Sequence, residues 1–316
     1  MQNKLLIIGR IPINSGLGGV TIHVSRLLQL YKKFDMPFNF LDLGIKKNIY
    51  KIFLHVLKVD IVYLHTSNPI LRSIISIFCL FTFKKLLIMV HGDLGRFSFF
   101  KNQLDFFSIR LCYKPLLINE KSFLKGLSLN SNSKLVSAYI PPIITTPLDK
   151  ELIERIEIEK RQLKLIVVTN ASTLSFDKFK NEIYGISDLL KYFIKYKNVF
   201  FVVADPSGNY KKYIKSNFLH LNNVGFFINR KIDFYELLKL SDVFIRNTST
   251  DGDSLSIREA LELNVTCYAT NVVSRPKGTI VYDSLDDLII KNKTSVNRIN
   301  ISLLDIFIRQ QEIISL

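Results

Sequence analysis

The stretch Asp242-Val243-Phe244-Ile245-Arg246-Asn247-Thr248-Ser249-Thr250-Asp251-Gly252-Asp253-Ser254-Leu255-Ser256-Ile257-Arg258-Glu259-Ala260-Leu261 reads as a short apolar strand, a polar loop and the start of a helix. Strand, loop and helix in that order make one α/β unit. The bare N–H groups at such a helix start, together with its dipole, form an anion site, so a phosphate fits against 253–256. Asp251 and Asp253 would repel phosphate and suit hydroxyls, whose protons their oxygens accept. Phosphate donors and hydroxyl acceptors in one turn imply a nucleotide-sugar ligand. A purely structural reading stays open: Ser256-Ile257-Arg258-Glu259 has the spacing of a capping box, with Glu259 reaching back to the Ser256 N–H.

Outward from this stretch, short apolar runs alternate with amphipathic segments, which predicts an α/β fold built on parallel sheets. Strands are expected at Leu5–Gly9, 38–42, 61–65, 86–91 and 115–119, then at 165–169, Val199–Ala204, 224–227, Val243–Arg246 and 266–269. Helices are expected at 21–31, 149–163, 181–196, 234–240, 257–263 and 301–314. Pro141, Pro142 and Pro147 interrupt the middle of the chain, where neither a helix nor a central strand continues. The expected organisation is therefore a domain over 1–145, a second over 146–300, and a last helix over 301–316 packing back on the first. Two Rossmann-like domains facing across a cleft would place ligands outside the C-terminal ends of the strands.

The 316 residues carry 43 Lys+Arg against 27 Asp+Glu, a net charge of +16, and 48% hydrophobic content excludes a largely disordered chain. The charge is lopsided: residues 1–145 hold +13 and the remainder +3. A cationic half asks for an anionic partner, here a lipid surface or a phosphorylated metabolite. No nucleic-acid-binding module is recognisable. The apolar run at 73–83 is too short to span a bilayer and reads as a buried crossover helix. Arg96-Phe97-Ser98-Phe99-Phe100-Lys101 and Phe106-Phe107-Ser108-Ile109-Arg110 mix rings with cations, which suits either a headgroup zone or an aromatic core face with solvated charges. Cys79, Cys112 and Cys267 lie far apart and match no metal or redox spacing. No signal-peptide pattern opens the sequence, so the expected place is the cytoplasm.

The segment Asp251–Leu261 resembles the donor-binding region of retaining GT-B glycosyltransferases of family four. That pattern has an acidic residue, seven others, Glu, Ala, and a small-residue turn before a strand, matched here by Asp251, Glu259, Ala260, Asn264-Val265 and the run at 266–269. Ser15-Gly16-Leu17-Gly18-Gly19-Val20-Thr21-Ile22-His23 is similar to the family's Gly-rich first loop, where glycine permits positive φ and close approach of backbone to ligand. His91, in His91-Gly92-Asp93, resembles the family's strand-end histidine, and His65 is a weaker candidate of the same kind.

The resemblance implies a transferase that moves a sugar from a UDP- or GDP-sugar with retention and without metal or other cofactor. Its implied roles are Asp251 on hydroxyls of the transferred sugar, Glu259 on the ribose, and Gly252, Asp253, Ser254, Leu255 and Ser256 on the diphosphate. Gly18 and Gly19 would line the same donor site, and His91 would hydrogen-bond a sugar hydroxyl. One departure stands out. The family places an Arg and a Lys after the first strand of the second domain, where this chain has Asn170; Lys178 and Lys180 are the next cations, with Arg246, Arg258 and Lys277 in reserve. With the +13 first domain, the resemblance suggests a lipid-linked saccharide acceptor at the inner face of the cell membrane, in O-antigen or capsule assembly. Three alternatives stay open: a sugar-nucleotide epimerase, a transferase with a soluble acceptor, and a non-catalytic membrane partner of the same fold.

Overall fold

A computed structural model describes residues 4–12, 18–177, 179–288 and 302–315. The chain divides into two compact units, one of Met1–Ile143 with Ser302–Leu316 and one of Ile144–Ile301.

The first unit runs β1 (Leu5–Gly9), α1 (Gly19–Lys33), β2 (Asn39–Asp42), α2 (Lys46–Ile49), α3 (Ile52–Leu57), β3 (Ile61–Leu64), α4 (Pro69–Phe81), β4 (Lys85–Val90), α5 (Phe99–Leu111), β5 (Lys114–Leu117), α6 (Glu120–Leu129) and β6 (Lys134–Leu135). Its six strands are all parallel in the order β2-β1-β3-β4-β5-β6. Every residue of β1 and β3 is buried, which is why these strands read as unbroken apolar runs rather than alternating ones. Leu6, Ile8, Val62, Leu64, Leu86 and Ile88 share one core with Cys79 and Ile109 of the covering helices.

Helix α4 departs from the expected buried helix. Asn68 caps it by accepting from Ile70 and Leu71, with Pro69 at the first turn. Its buried face carries Arg72, Ser73 and Ser76 beside Ile75 and Cys79, while Ile70, Ile74, Ile77, Leu80 and Phe81 are exposed. The polar side is inward because α5 supplies partners: Ser73 Oγ donates to the Leu104 carbonyl, and Arg72 Nη1 meets Asp105 Oδ1 at 2.5 Å. Burial works against both charges, lowering the Arg72 pKa and raising that of Asp105, and each partner offsets part of the other's penalty.

The second unit runs α7 (Lys150–Arg161), β7 (Leu165–Asn170), α8 (Ile186–Phe193), β8 (Val199–Ala204), α9 (Asn209–Asn217), β9 (Gly225–Ile228), α10 (Phe234–Lys239), β10 (Val243–Arg246), α11 (Leu255–Glu262), β11 (Thr266–Thr270) and β12 (Ile280–Tyr282). Its sheet is also parallel, in the order β12-β11-β10-β7-β8-β9. Two cores flank it. Ile166, Val168 and Phe244 pack on one side with Leu237 and Ile257; Val167, Val243 and Ile245 pack on the other with Leu189 and Leu190. The last helix, α12 (Leu303–Ile314), belongs to the first unit, where Phe307 stacks on Phe34 at 4.4 Å and Lys114 Nζ donates to the Ile313 carbonyl.

Most of the helix expected over 181–196 forms only from Ile186. Asp177 instead accepts N–H groups from Phe179 and Asn181, an Asx-type turn that competes with helix, and Phe176 bridges to Glu182. Gly185, at φ +51°, ends this loop; a Cβ there would also collide with Asn247. Strands β6 and β12, at two and three residues, were too short to expect from an apolar run.

Replacing Asp105 by Ala leaves the Arg72 guanidinium buried and unpaired, which should cost about 3–5 kcal/mol in urea denaturation. A double variant, Arg72→Met with Asp105→Leu, is expected to recover most of that loss. A single-variant cost under about 1 kcal/mol would contradict the pairing.

Candidate functional site

The order of the second sheet reverses at β7: β8 lies on one side of it and β10 on the other. Open parallel sheets hold their ligands at such a switch point, beyond the C-terminal strand ends. The strands pair as Val243↔Val167 and Phe244↔Val168, and two residues further along each stand Arg246 and Asn170. Thr169 Oγ1 donates to the Ile245 carbonyl at 2.8 Å and helps hold these ends together.

Four groups converge there. Arg246 donates through Nε and Nη2 to Asp251 at 3.2 and 3.1 Å, and through Nη1 to the carbonyl and Oδ1 of Asn170. Arg275 Nη1 donates to Asp251 Oδ2 at 2.7 Å, and its Nε donates to the Thr270 carbonyl. The side chains of Arg246, Asp251 and Arg275 are 13%, 7% and 2% exposed, so two guanidiniums share one carboxylate with little water between them. Burial opposes ionisation of Arg246 and Asp251, but their mutual attraction prevails. It holds Arg246 above and Asp251, with help from Arg275, below their usual ranges. The cluster is left with a surplus of one positive charge. Tyr184 lies under the Arg246 guanidinium, 5.1 Å from ring centroid to Cζ.

Helix α11 begins beside this cluster. Ser254 is its N-cap, in extended backbone and with no side-chain cap bond, and Leu255 is its first residue. The start thus falls two residues before the expected one, so Ser256 lies within the first turn and the capping-box spacing does not mark the helix start. Asn170 Nδ2 donates instead to Ser256 Oγ at 2.8 Å. Asp253 pairs with Arg258 at 2.6 Å, and the Gly252 N–H donates to Asp251 Oδ1. Glu259 is buried within the helix. The far end closes as the motif spacing requires: Asn264 takes the left-handed conformation at φ +57° and Val265 N–H returns to the Ala260 carbonyl at 2.8 Å.

Asp251 differs from its expected task. Its two oxygens accept from Arg246, Arg275, Thr248 and the Gly252 N–H, which fills the acceptor sites of a carboxylate. In this structure it orients arginines. Lys178 lies outside the described residues. Lys180, in left-handed backbone at φ +65°, lines a pocket of about 510 Å³ with Asn181, Lys191, Asn247, Thr248 and Asn271. Arg275 was missed from the sequence, because nothing in Ser274-Arg275-Pro276 signals a return to a loop 24 positions upstream.

In the first unit, Ser15, Gly16 and Leu17 lie outside the described residues. Gly18 caps α1 in extended backbone at φ −168°, its N–H donating to Thr21 Oγ1, and Gly19 opens the helix. The expected positive φ is therefore not used at Gly18, and a Cβ at either glycine would meet no described atom within 4 Å. His91 follows β4 directly and its Nε2 lies 3.1 Å from Nδ1 of His65.

No protein-family model matches the chain, and no curated protein matches its sequence. Solved structures do match. HepE of Anabaena, in complex with UDP-glucose, is similar at a TM-score of 0.65 and 14% identity, covering 89% of this chain and 85% of that one. A sucrose-phosphate synthase of Thermosynechococcus elongatus gives 0.59 at 11% identity, covering 90% and 87%. WaaG, a glycosyltransferase involved in lipopolysaccharide biosynthesis, gives 0.54 at 12% identity, covering 89% and 87%. At such identities the likeness concerns the fold, which is the α/β, two-unit GT-B architecture.

Asp251→Ala strips two nearly buried guanidiniums of their carboxylate. Its expected cost is about 3 kcal/mol by urea denaturation, near the lower figure for breaking a buried pair. An effect within 0.5 kcal/mol, the range of ordinary surface substitutions, would count against the shared-carboxylate arrangement.

Proposed function

We propose that the chain is a retaining glycosyltransferase that takes its sugar from a nucleotide-sugar and passes it to a lipid-linked saccharide acceptor. The observation carrying this reading is the cationic cluster of Arg246, Asp251 and Arg275 beside the start of α11, at the switch point of the second sheet. Helix amides and a guanidinium in one crevice suit a diphosphate. The fold shared with HepE, which is solved with UDP-glucose, supports a nucleotide-sugar as the anion's source.

In this reading Arg246 supplies the cation that the family resemblance expects where Asn170 stands. Its guanidinium touches Asn170 itself, so the charge arrives from the neighbouring strand end rather than from the loop after β7. As the bond from the anomeric carbon to the diphosphate oxygen breaks, negative charge grows on that oxygen. Arg246 and the amides of Asp253, Ser254, Leu255 and Ser256 would stabilise it. Glu259 accepts from the ribose hydroxyls. Lys180 gives further positive charge near the same loops. The acceptor hydroxyl attacks on the face the leaving group vacates, which retains configuration, and no protein nucleophile is assigned.

Acceptor and place follow from the first unit. Exposed Ile70, Ile74, Ile77, Leu80, Phe81 and Phe83 continue through the Phe53–Phe78 ring contact onto exposed Leu54 and Leu57 of α3, with Lys46, Lys47, Lys51 and Lys58 exposed nearby in sequence. Phe99 and Phe100 add two exposed rings at the start of α5. Among the described residues no helix is long and apolar enough to cross a membrane. An apolar patch rimmed by lysines fits a peripheral site on an anionic leaflet, where lipid-linked acceptors for O-antigen or capsule assembly reside.

Calorimetry with a panel of UDP- and GDP-sugars is expected to give saturable binding to one donor, weakened at least tenfold by Arg246→Ala. No heat with any of them would end the transferase reading. Vesicles rich in anionic lipid should carry the protein up a flotation gradient at low salt and release it as salt rises. Phe81→Glu with Phe83→Glu should abolish this; equal flotation on neutral vesicles would exclude the electrostatic contact.

A further inference from the structure

The first sheet also has a switch point, at β1, with β2 on one side and β3 on the other. Three histidines meet at that end of the sheet. His23 lies on α1, which follows β1; His65 and His91 directly follow β3 and β4. Their ring centroids form a nearly regular triangle of 4.9, 5.3 and 5.4 Å. A zinc ion held by imidazoles at about 2.0–2.1 Å has ring centroids about 3.2 Å away, so two tetrahedrally placed rings have centroids about 5.2 Å apart. The observed triangle has that size. One ligand-capable nitrogen from each ring lies within 4.8 Å of the others, and the His65–His91 pair is already at 3.1 Å, close to the ~3.4 Å separating two nitrogens on one zinc.

One further observation agrees. His23 Nδ1 lies 2.6 Å from the Ala138 carbonyl, the outer hydrogen bond that fixes a ligating histidine's tautomer and leaves Nε2 as the lone-pair nitrogen. The charged groups facing His91 are Arg72, already paired with Asp105, and Arg96, whose guanidinium lies over Gly92 where a Cβ would collide with it. A cation beside the triangle favours an anionic fourth ligand, such as hydroxide or a phosphate oxygen.

We propose that His23, His65 and His91 form a three-imidazole site for one transition-metal dication of the zinc type, with its fourth position open to an anionic oxygen ligand. This departs from the expectation of a metal-free protein, and it does not rest on the transferase reading, whose donor cluster lies in the other unit.

The test uses the full chain without an affinity tag, stripped with chelator and titrated with Zn²⁺ against a chromophoric competitor, and separately with Co²⁺. The expected result is one ion per chain and the intense visible bands of four-coordinate cobalt. His91→Ala should weaken zinc binding at least tenfold, and His55→Ala and His220→Ala should leave it unchanged. Binding well below one ion per chain, or equal affinity in His91→Ala and His220→Ala, would overturn the proposal. If His91→Ala fails to fold by circular dichroism, the wild-type cobalt spectrum decides, since a weak six-coordinate spectrum excludes a three-histidine tetrahedral site.

Discussion

Parallel strands covered by helices on both faces carry mostly apolar side chains along their length. In β1 and β3 every residue is buried, and in β7 the four central residues are. Chemistry is therefore confined to the C-terminal strand ends and the helix starts that follow them. The switch point adds a second constraint, because only there do two connections diverge and leave a crevice. Both candidate clusters of this molecule lie at such points.

Within the second unit, a single carboxylate decides how the crevice is charged. Two arginines brought together below about one-seventh exposure would repel each other strongly in a poorly solvated site. Asp251 makes their approach possible and leaves one positive charge over. Arg275 is spent on structure, with donors on Thr270 as well as Asp251, whereas Arg246 has the more exposed side chain. Arg275 anchors the loop, and Arg246 is the more solvent-accessible of the two. Asn170 suits this arrangement better than an arginine would, since its amide accepts from Arg246 and donates to Ser256 with no added charge.

The alternation of apolar runs made the two-sheet α/β plan legible: all ten expected strands form, three with the expected bounds and seven shifted by only a residue or two. Boundaries failed where a side chain competed with the backbone. Asp177 and Gly185 shortened α8, information carried by an Asx turn and a positive φ rather than by hydrophobic period. The site was half legible. The strand–loop–helix around Asp251 pointed to the crevice at the switch point, but the partners of Asp251 did not follow from spacing. Arg246 is five positions away and within view, while Arg275 returns through β11 and a proline-containing loop. The inverted α4 was illegible for a related reason: Arg72 and Ser73 look like solvent-facing residues until α5 supplies Asp105 and the Leu104 carbonyl.

The two switch points use the same topology with opposite electrostatics. In the second unit the strand ends carry groups that stay ionised because they are paired, and the balance is a fixed cation. In the first unit the strand ends carry imidazoles, which respond to burial by remaining neutral rather than by recruiting a counter-charge. A fixed cation attracts an anion without further assembly. A neutral imidazole triangle offers lone pairs, and lone pairs converging on one point are the recognised chemistry of a metal or of a proton held in common. The near-regular triangle separates these two: a shared proton needs only the His65–His91 contact at 3.1 Å, and gives His23 no reason to stand 4.9 and 5.3 Å from the same two rings.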